Sequence, residues 1–221
     1  MALFRNRSDA GRRLAAKLRE YQDDPDAVVL ALPRGGVPVA YEVATALRLA
    51  LDVYTVRKLG VPGHAELAMG AVACDGSYVV DERTVEMLGV TGEEFLSALQ
   101  RELAELRRRE AAYRGSRPEP DVAGKTVLVV DDGLATGSTM YSAVAALRQR
   151  HPVRVVVAVP VAPARTVAEL ERVADRVVCA FEPEPFYAVG VSYEDFSQVE
   201  DDEVRRLLER AERERARWKV A

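Results

Sequence analysis

Cysteines and long apolar runs are both scarce in this chain, and each scarcity excludes a class of protein. The 221 residues include two cysteines, Cys74 and Cys179. They lack the spacing of a metal site and are too few for a disulfide framework, which fits a reducing cytoplasm. The N-terminus lacks the apolar core of a signal peptide, and no apolar run approaches membrane-spanning length. We therefore expect a cytoplasmic protein with no membrane partner.

A surplus of positive charge is missing as well. The chain carries 31 Lys and Arg against 35 Asp and Glu, a net charge of −4, which argues against nucleic-acid binding through overall charge. Hydrophobic residues make up 48% and charged residues 30% of the chain, the composition of a soluble globular protein. The length suffices for a sizeable core, so we expect a single domain over residues 1–221.

Residues 125–141 are the most informative stretch. They open with a valine-rich apolar run, Val127–Val130, which predicts a strand buried on both faces of a parallel sheet. Asp131 and Asp132 follow directly, then a turn of small residues, then a segment of helical character. A strand, a turn and a helix in this order put the turn at the carboxyl edge of a sheet, where open α/β folds bind ligands.

The turn at 133–139 combines an anion site with hydrogen-bond acceptors. Free amides at the start of a helix attract an anion, and Gly137 lets the backbone approach it closely. The lysine of a nucleoside-triphosphate P-loop and the glycines of a dinucleotide fingerprint are both absent. Asp131 and Asp132 can accept hydrogen bonds from a vicinal diol, so a sugar phosphate suits this combination. The alternative is a buried strand that ends in a solvated acid pair before a capped helix.

Residues 127–139, Val-Leu-Val-Val-Asp-Asp-Gly-Leu-Ala-Thr-Gly-Ser-Thr, resemble the 5-phosphoribosyl-1-diphosphate (PRPP) motif of type I phosphoribosyltransferases over its full length. The resemblance implies that Asp131 and Asp132 hold the ribose 2- and 3-hydroxyls. It also implies that the 5-phosphate is held by Ala135, Thr136, Gly137, Ser138 and Thr139. Hypoxanthine-type members have an aspartate where this chain has Ala135, whereas adenine-type members share the alanine. The base is therefore expected not to be a 6-oxopurine.

A second predicted strand, residues 27–32, leads into another turn with glycines, Arg34-Gly35-Gly36. Adjacent glycines can point their amides inward as an anion nest, and Arg34 adds a fixed charge with several donors. The alternative is an ordinary turn between a strand and a helix. The turn resembles the loop that holds the diphosphate in the same family, which implies diphosphate binding by Arg34, Gly35 and Gly36. It also implies a non-proline cis peptide near Arg34–Gly35.

Arg57 and Lys58 follow a third predicted strand, and a segment rich in glycine and proline comes next. Its helix and strand breakers predict a mobile loop that closes over a polyanion. The two cations resemble the Arg-Lys pair of adenine and orotate phosphoribosyltransferases, which implies diphosphate contact; the alternative is a solvated pair. Arg34, Arg57 and Lys58 are thus the candidate catalytic residues, because they would neutralise charge on the leaving diphosphate. His64 and Glu66 are the loop's proton-transfer candidates, or are merely solvated.

A long charged helix is predicted over Asp81–Arg114, within a helical insert at residues 81–120. The seam that would pack this helix is formed by Leu96, Leu99, Leu103 and Leu106. Spacings of three and four are typical of such a seam. The run Arg107–Arg109 is interpreted as a solvated helix end, with contact to RNA or a partner as the alternative. Ahead of the insert, residues 69–80 predict a short antiparallel flap.

Residues 181–200 are predicted to form a hood over the site, together with an N-terminal helix over residues 4–22 that Ser8 would cap. Phe186 and Tyr187 follow two prolines in the hood, and an aromatic face can stack on a flat base. Their place resembles that of the family's base-stacking aromatic. Both are therefore base-binding candidates, and which one faces the ligand stays open. The alternative is a small satellite core.

Together these patterns predict an α/β fold: a mostly parallel open sheet flanked by helices, with a small hood and a helical insert, as in type I phosphoribosyltransferases. The resemblance implies an enzyme that joins a nitrogenous base to PRPP and releases diphosphate. Mg²⁺ would enter with PRPP, held mainly by ligand oxygens and water. We expect a homo-oligomer, with a dimer favoured. Two alternatives stay open: a regulator that senses PRPP or a nucleotide without turnover, and an unrelated sugar-phosphate binder.

Overall fold

The computed structural model describes residues 2–115 and 119–218 of the chain. In this part the strands are β1 (Ala27–Ala31), β2 (Ala50–Val53), β3 (Val56–Val61), β4 (His64–Ala73), β5 (Tyr78–Val80), β6 (Thr126–Val130), β7 (Arg154–Val161) and β8 (Arg176–Phe181). The helices are α1 (Arg7–Ala15), α2 (Gly36–Leu47), α3 (Glu82–Met87), α4 (Gly92–Arg114), α5 (Ser138–Arg148), α6 (Ala164–Leu170) and α7 (Asp201–Trp218). Short 3₁₀ helices cover Arg19–Tyr21 and Val189–Ser192.

Five strands form the main sheet in the order β2-β1-β6-β7-β8, and every neighbouring pair is parallel. Strand β1 is buried at all of its positions, because a parallel sheet covered on both faces needs continuous apolar strands rather than alternating ones. Helices α1, α2 and α7 pack on one face, and α5 and α6 pack on the other. This arrangement confirms the predicted α/β fold.

The segment predicted as a mobile loop is instead a β-hairpin of β3 and β4, so the prediction of an irregular loop is wrong. Its breakers serve the hairpin: Pro62 and Gly63 make the turn, with Gly63 at φ +77°, and Gly60 lies at a shift of strand register. Leu59 and Val61 are buried in a cluster with residues of α4. Strand β5 extends the hairpin into an antiparallel sheet, β3-β4-β5, which confirms the predicted flap.

The predicted long helix is two helices, because α3 stops and Thr91 starts α4 afresh. The Thr91 hydroxyl and the Glu94 carboxylate cap each other's backbone amides, an arrangement that fixes a helix start. Three of the four seam leucines pack against the β3-β4 hairpin, namely Leu99, Leu103 and Leu106. Leu96 does not, since it is 55% exposed. Residues 116–118 of the predicted linker lie outside the described residues.

The N-terminal segment packs beside the segment that follows β8. Asn6 rather than Ser8 caps α1, because its side chain accepts the Asp9 amide at 2.9 Å while Ser8 already lies inside the helix. The Phe4 amide donates to the Ser192 carbonyl at 2.9 Å. This contact brings the N-terminus towards the carboxyl edge of the sheet.

Over residues 2–115 and 119–218, no helix combines the length and the apolar character that crossing a membrane requires.

Candidate functional site

Hydrogen bonds to β7 and α6 fix the turn between β6 and α5. The Leu134 amide donates to the Val161 carbonyl at 2.9 Å, and the Thr166 hydroxyl donates to the Ala135 carbonyl at 2.7 Å. Gly137, at φ +71°, turns the chain into α5, a conformation that favours glycine. The Ser138 amide donates to the Thr136 hydroxyl over 3.5 Å, a long contact that a phosphate oxygen could replace. The backbone amides at the start of α5 are therefore a candidate anion site.

The Arg34-Gly35-Gly36 turn lies directly against the two acids. A Cβ on Gly35 would lie 2.1 Å from Asp132 Oδ2, and one on Gly36 would lie 2.8 Å from the Val130 carbonyl oxygen. Both glycines are needed for this close approach. The non-proline cis peptide occurs at Pro33–Arg34, one bond before the predicted position. The two turns that the sequence singles out thus meet at one edge of the sheet.

The two carboxylates are shielded from solvent, and this changes their acidity. Burial raises the pKa of Asp131 well above its ordinary value, and the neighbouring Asp132 adds to the effect. Burial also raises the pKa of Asp132, while the Arg7 guanidinium acts in the opposite direction. Arg7 Nε lies 2.8 Å from Asp132 Oδ2. Arg7 therefore favours the ionised form of Asp132 against the effect of burial.

Arg7 is a site residue that sequence reasoning missed. Its Nη1 donates to the Ser197 carbonyl at 2.7 Å, and its guanidinium lies 3.9 Å from the centre of the Phe196 ring. The Tyr193 hydroxyl donates to the Asp132 carbonyl. The N-terminal segment and the segment after β8 thus form a cover over the carboxylate pair. No motif identifies Arg7, because it is one of several arginines at the start of an amphipathic helix.

A cavity of about 280 Å³ opens beside the Arg34 turn. It is lined by the Pro33–Arg34 peptide, by Arg57 and by Thr139 of α5, and helix α4 forms another wall. Arg57 Nε lies 2.5 Å from Glu102 Oε2. The structure therefore brings Arg34 and Arg57, the two arginines predicted to contact diphosphate, to one cavity that Thr139 at the start of α5 also lines.

Other predicted site residues lie elsewhere. Lys58 is exposed and borders a separate groove between the hairpin and α4. Phe186 packs against a satellite cluster that includes Phe4 and Tyr193, as the alternative interpretation had it, whereas Tyr187 is 78% exposed. His64 is exposed at the start of β4, and the side chain of Glu66 lies outside the described residues.

A parallel sheet with a turn of small residues and an acid pair at its carboxyl edge is the arrangement predicted for a phosphoribosyltransferase. The comparison with family models agrees. The model of the phosphoribosyl transferase domain matches residues 3–195. The chain belongs to this family, which confirms the predicted family and fold.

Particular relatives are similar over nearly the whole chain. The chain is 44% identical over 214 residues to the Mycobacterium tuberculosis proteins named "Putative phosphoribosyl transferase Rv0571c" and "Putative phosphoribosyl transferase MT0597", which covers 97% of this chain and 48% of each relative. The chain thus spans about half the length of these curated relatives. The crystal structure of the protein TT1426 from Thermus thermophilus is 42% identical, with a TM-score of 0.82 and coverage of 94% of this chain and 98% of that one.

Proposed function

We propose that this protein is a phosphoribosyltransferase that joins a nitrogenous base to PRPP and releases diphosphate. The observation that supports it best is the contact between its two glycine-bearing turns: Gly35 leaves room for nothing larger than a hydrogen beside the Asp132 carboxylate. This packing supports the proposal because it sets the acids against the Arg34 turn, and the cavity beside that turn is also lined by Thr139 at the start of α5. A sugar that carries a phosphate at one end and a diphosphate at the other matches that order of groups.

In this proposal each part of PRPP has its own contacts. The 5-phosphate binds the residues of the β6-α5 turn, Ala135, Thr136, Gly137, Ser138 and Thr139. Asp131 and Asp132 accept hydrogen bonds from the ribose hydroxyls. The Asp132 carboxylate can do so while Arg7 is bound, because it has two oxygens and each accepts more than one hydrogen bond.

The diphosphate points into the cavity beside Arg34 in this proposal. Gly35 and Gly36 let the backbone approach it, and Arg57 lines the same cavity. Lys58 borders a separate groove and is given no diphosphate contact. As the bond to C1 of the ribose breaks, negative charge grows on the leaving diphosphate. Cations fixed beforehand around that charge stabilise the transition state more than the ground state. Catalysis then consists mainly of positioning and electrostatics.

Magnesium accompanies PRPP in this proposal. The described residues contain no group of three or more His, Cys, Asp or Glu that could hold a metal ion, whereas Asp131 and Asp132 provide hard oxygen donors beside the sugar. This donor set fits an ion held mainly by substrate oxygens and water, as Mg²⁺ prefers. When bound, Mg²⁺ supplies charge neutralisation on the diphosphate. Phosphoribosyltransferases generally use Mg²⁺ together with PRPP, which supports this part of the proposal. We assign no protein ligand to the ion.

The base would lie near the segment after β8, where Tyr187 is the more accessible of the two aromatic candidates. We also propose a homodimer and a cytoplasmic location, the latter in keeping with two free thiols. Ala135 disfavours a 6-oxopurine as the acceptor base.

The test is a titration of the purified protein with Mg·PRPP, followed by a screen of purine and pyrimidine bases for diphosphate release. We expect PRPP to bind and at least one base to release diphosphate. Asp132→Asn should weaken PRPP binding at least tenfold, about 1.4 kcal/mol, while circular dichroism shows a folded protein. Asp121→Asn, an exposed change before β6, is the matched control and should bind normally. Binding without release for any base would support the regulator instead, and unchanged affinity in Asp132→Asn would remove the diol role.

A further inference from the structure

Helix α4 presents two arginines to the cavity that Arg34 and Arg57 line. Arg108 and Arg109 are both among the cavity's lining residues. The sequence pattern predicts a solvated run for Arg107–Arg109, and all three arginines are exposed, but two of them also line this cavity. Arg107 lies outside the lining of this cavity, so two of the three cations face the site.

The position of α4 over the cavity is fixed by buried contacts. Leu106 is 1% exposed and packs against the β3-β4 hairpin. The Tyr113 hydroxyl donates to Asp201 Oδ1 at 2.8 Å, and burial, together with Asp201, raises the pKa of Tyr113 to about 12. The Arg114 guanidinium donates to the Val53 carbonyl at 3.0 Å. Arg108 and Arg109 therefore stand on a helix that is anchored on both sides of them.

These two arginines are held together by one carboxylate. Glu105 accepts from Arg108 Nε at 2.8 Å and from Arg109 Nε at 2.8 Å. The hydrogen bonds from Arg108 and Arg109 lower the pKa of Glu105 to about 2, so Glu105 is ionised at neutral pH. A single carboxylate leaves donors of both guanidinium groups available, because each guanidinium has five N–H donors.

Arg34 and Arg57 also have carboxylate partners, and the contacts of Arg34 are long. Arg34 Nη1 lies 3.7 Å from carboxylate oxygens of Glu200 and of Asp201, beyond hydrogen-bond distance. Arg57 has the tight contact with Glu102. Guanidinium groups therefore line the cavity from several sides. Of their carboxylate partners, Asp201 also lines it, whereas Glu102, Glu105 and Glu200 do not. A compact polyanion in the middle could contact several of the guanidinium groups at once.

We propose that Arg108 and Arg109 form a diphosphate-binding subsite, so that α4 provides one wall of the pocket from which diphosphate leaves. Guanidinium groups suit this ligand because their planar donor forks match phosphate oxygens in pairs. The inference rests on the proposed function, since it assigns these residues to the diphosphate of PRPP. It extends that function to a part of the chain that carries no recognisable motif.

The experiment compares two double variants of the full chain by isothermal titration calorimetry. R108Q/R109Q removes the two cavity charges, and R107Q/R213Q removes two exposed charges outside the cavity's lining as a matched control. Each is titrated with Mg·diphosphate, Mg·PRPP and ribose 5-phosphate at fixed salt. Because exposed ion pairs are weak and charge-assisted bonds are stronger, we expect R108Q/R109Q to lose about tenfold in affinity for diphosphate and PRPP. Ribose 5-phosphate should bind both variants as it binds the wild type.

The outcomes separate this inference from the proposed function. If the wild type and R108Q/R109Q bind PRPP equally, the subsite is wrong and the function stands. If the wild type binds diphosphate but not PRPP, and R108Q/R109Q loses the diphosphate, the subsite stands and the function fails. Equal losses for ribose 5-phosphate and PRPP would indicate a general disturbance and overturn the subsite. A wild type that binds neither diphosphate nor PRPP would overturn both.

Discussion

Replacing Arg7 by methionine should destabilise the fold by about 3 kcal/mol near neutral pH, because it leaves a shielded carboxylate without its cation. The Arg7 and Asp132 side chains are 11% and 14% exposed, so solvent screens their contact little. Removing one partner of a buried ion pair costs about 3–5 kcal/mol, and the residual exposure places this case at the low end. The lost hydrogen bond to Ser197 acts in the same direction.

The cost should depend on pH, and its direction follows from the two carboxyl groups. Arg7 opposes the rise in the pKa of Asp132 that burial causes, so the variant's native-state pKa rises further above the unfolded value of about 3.9. A carboxyl with a raised native pKa makes the native state bind more protons than the unfolded state between those two values. Stability therefore falls as pH rises through that window. The deficit of Arg7→Met should be largest at pH 8 and should shrink towards pH 5.

Urea unfolding at pH 8 and pH 5 measures both effects. Arg5→Met is the control, because the Arg5 side chain is 73% exposed and its contact with Asp9 is 3.8 Å long; it should cost under about 1 kcal/mol. In the double variant with Asp132→Asn, a coupling free energy of about 2 kcal/mol should appear, since the amide no longer needs a cation. A deficit below about 1 kcal/mol for Arg7→Met, or one that is equal at the two pH values, would refute this reasoning.

Two further predictions concern the turn and the base. Gly137→Ala places a Cβ 2.8 Å from Thr166 Cγ2 at a position with positive φ. We therefore expect thermal unfolding to show a loss of stability of about 1–2 kcal/mol, and ribose 5-phosphate to bind more weakly. Gly76→Ala, at an open turn with positive φ, is the control for backbone strain alone. Tyr187→Ala should leave the melting temperature unchanged and raise the KM for the base. Phe186→Ala should lower the melting temperature, because Phe186 packs against the satellite cluster. The opposite pattern would mean that Phe186 binds the base and Tyr187 supports the fold.

The sheet and its two ligand-edge turns could be predicted because their physics is local. A strand such as β6 must be apolar throughout, and the turn after it must use small residues where the backbone bends or another chain segment approaches. Those demands act on consecutive residues and leave a pattern. Gly35 shows this directly, since its lack of a side chain is explained by the Asp132 carboxylate beside it.

The hairpin and the cover over the acids could not be predicted in the same way. Gly60, Pro62 and Gly63 indicate a break in regular structure, and a hairpin turn and a mobile loop use the same residues. What decides between them is the burial of Leu59 against α4, a contact between distant parts of the chain. Arg7 is similar, because its role depends on a partner 125 positions away in the sequence.

The two turns and the arginines of α4 should tolerate substitution differently. The turns constrain backbone shape, so most substitutions there disturb the acids or the start of α5. Arg108 and Arg109 constrain nothing in α4, since the helix is anchored by Leu106 and Tyr113 on its packed side. A change at either arginine can therefore alter affinity for the leaving group without altering the fold. In this proposal, part of the affinity for diphosphate comes from residues that look, in the sequence, like any solvated helix surface.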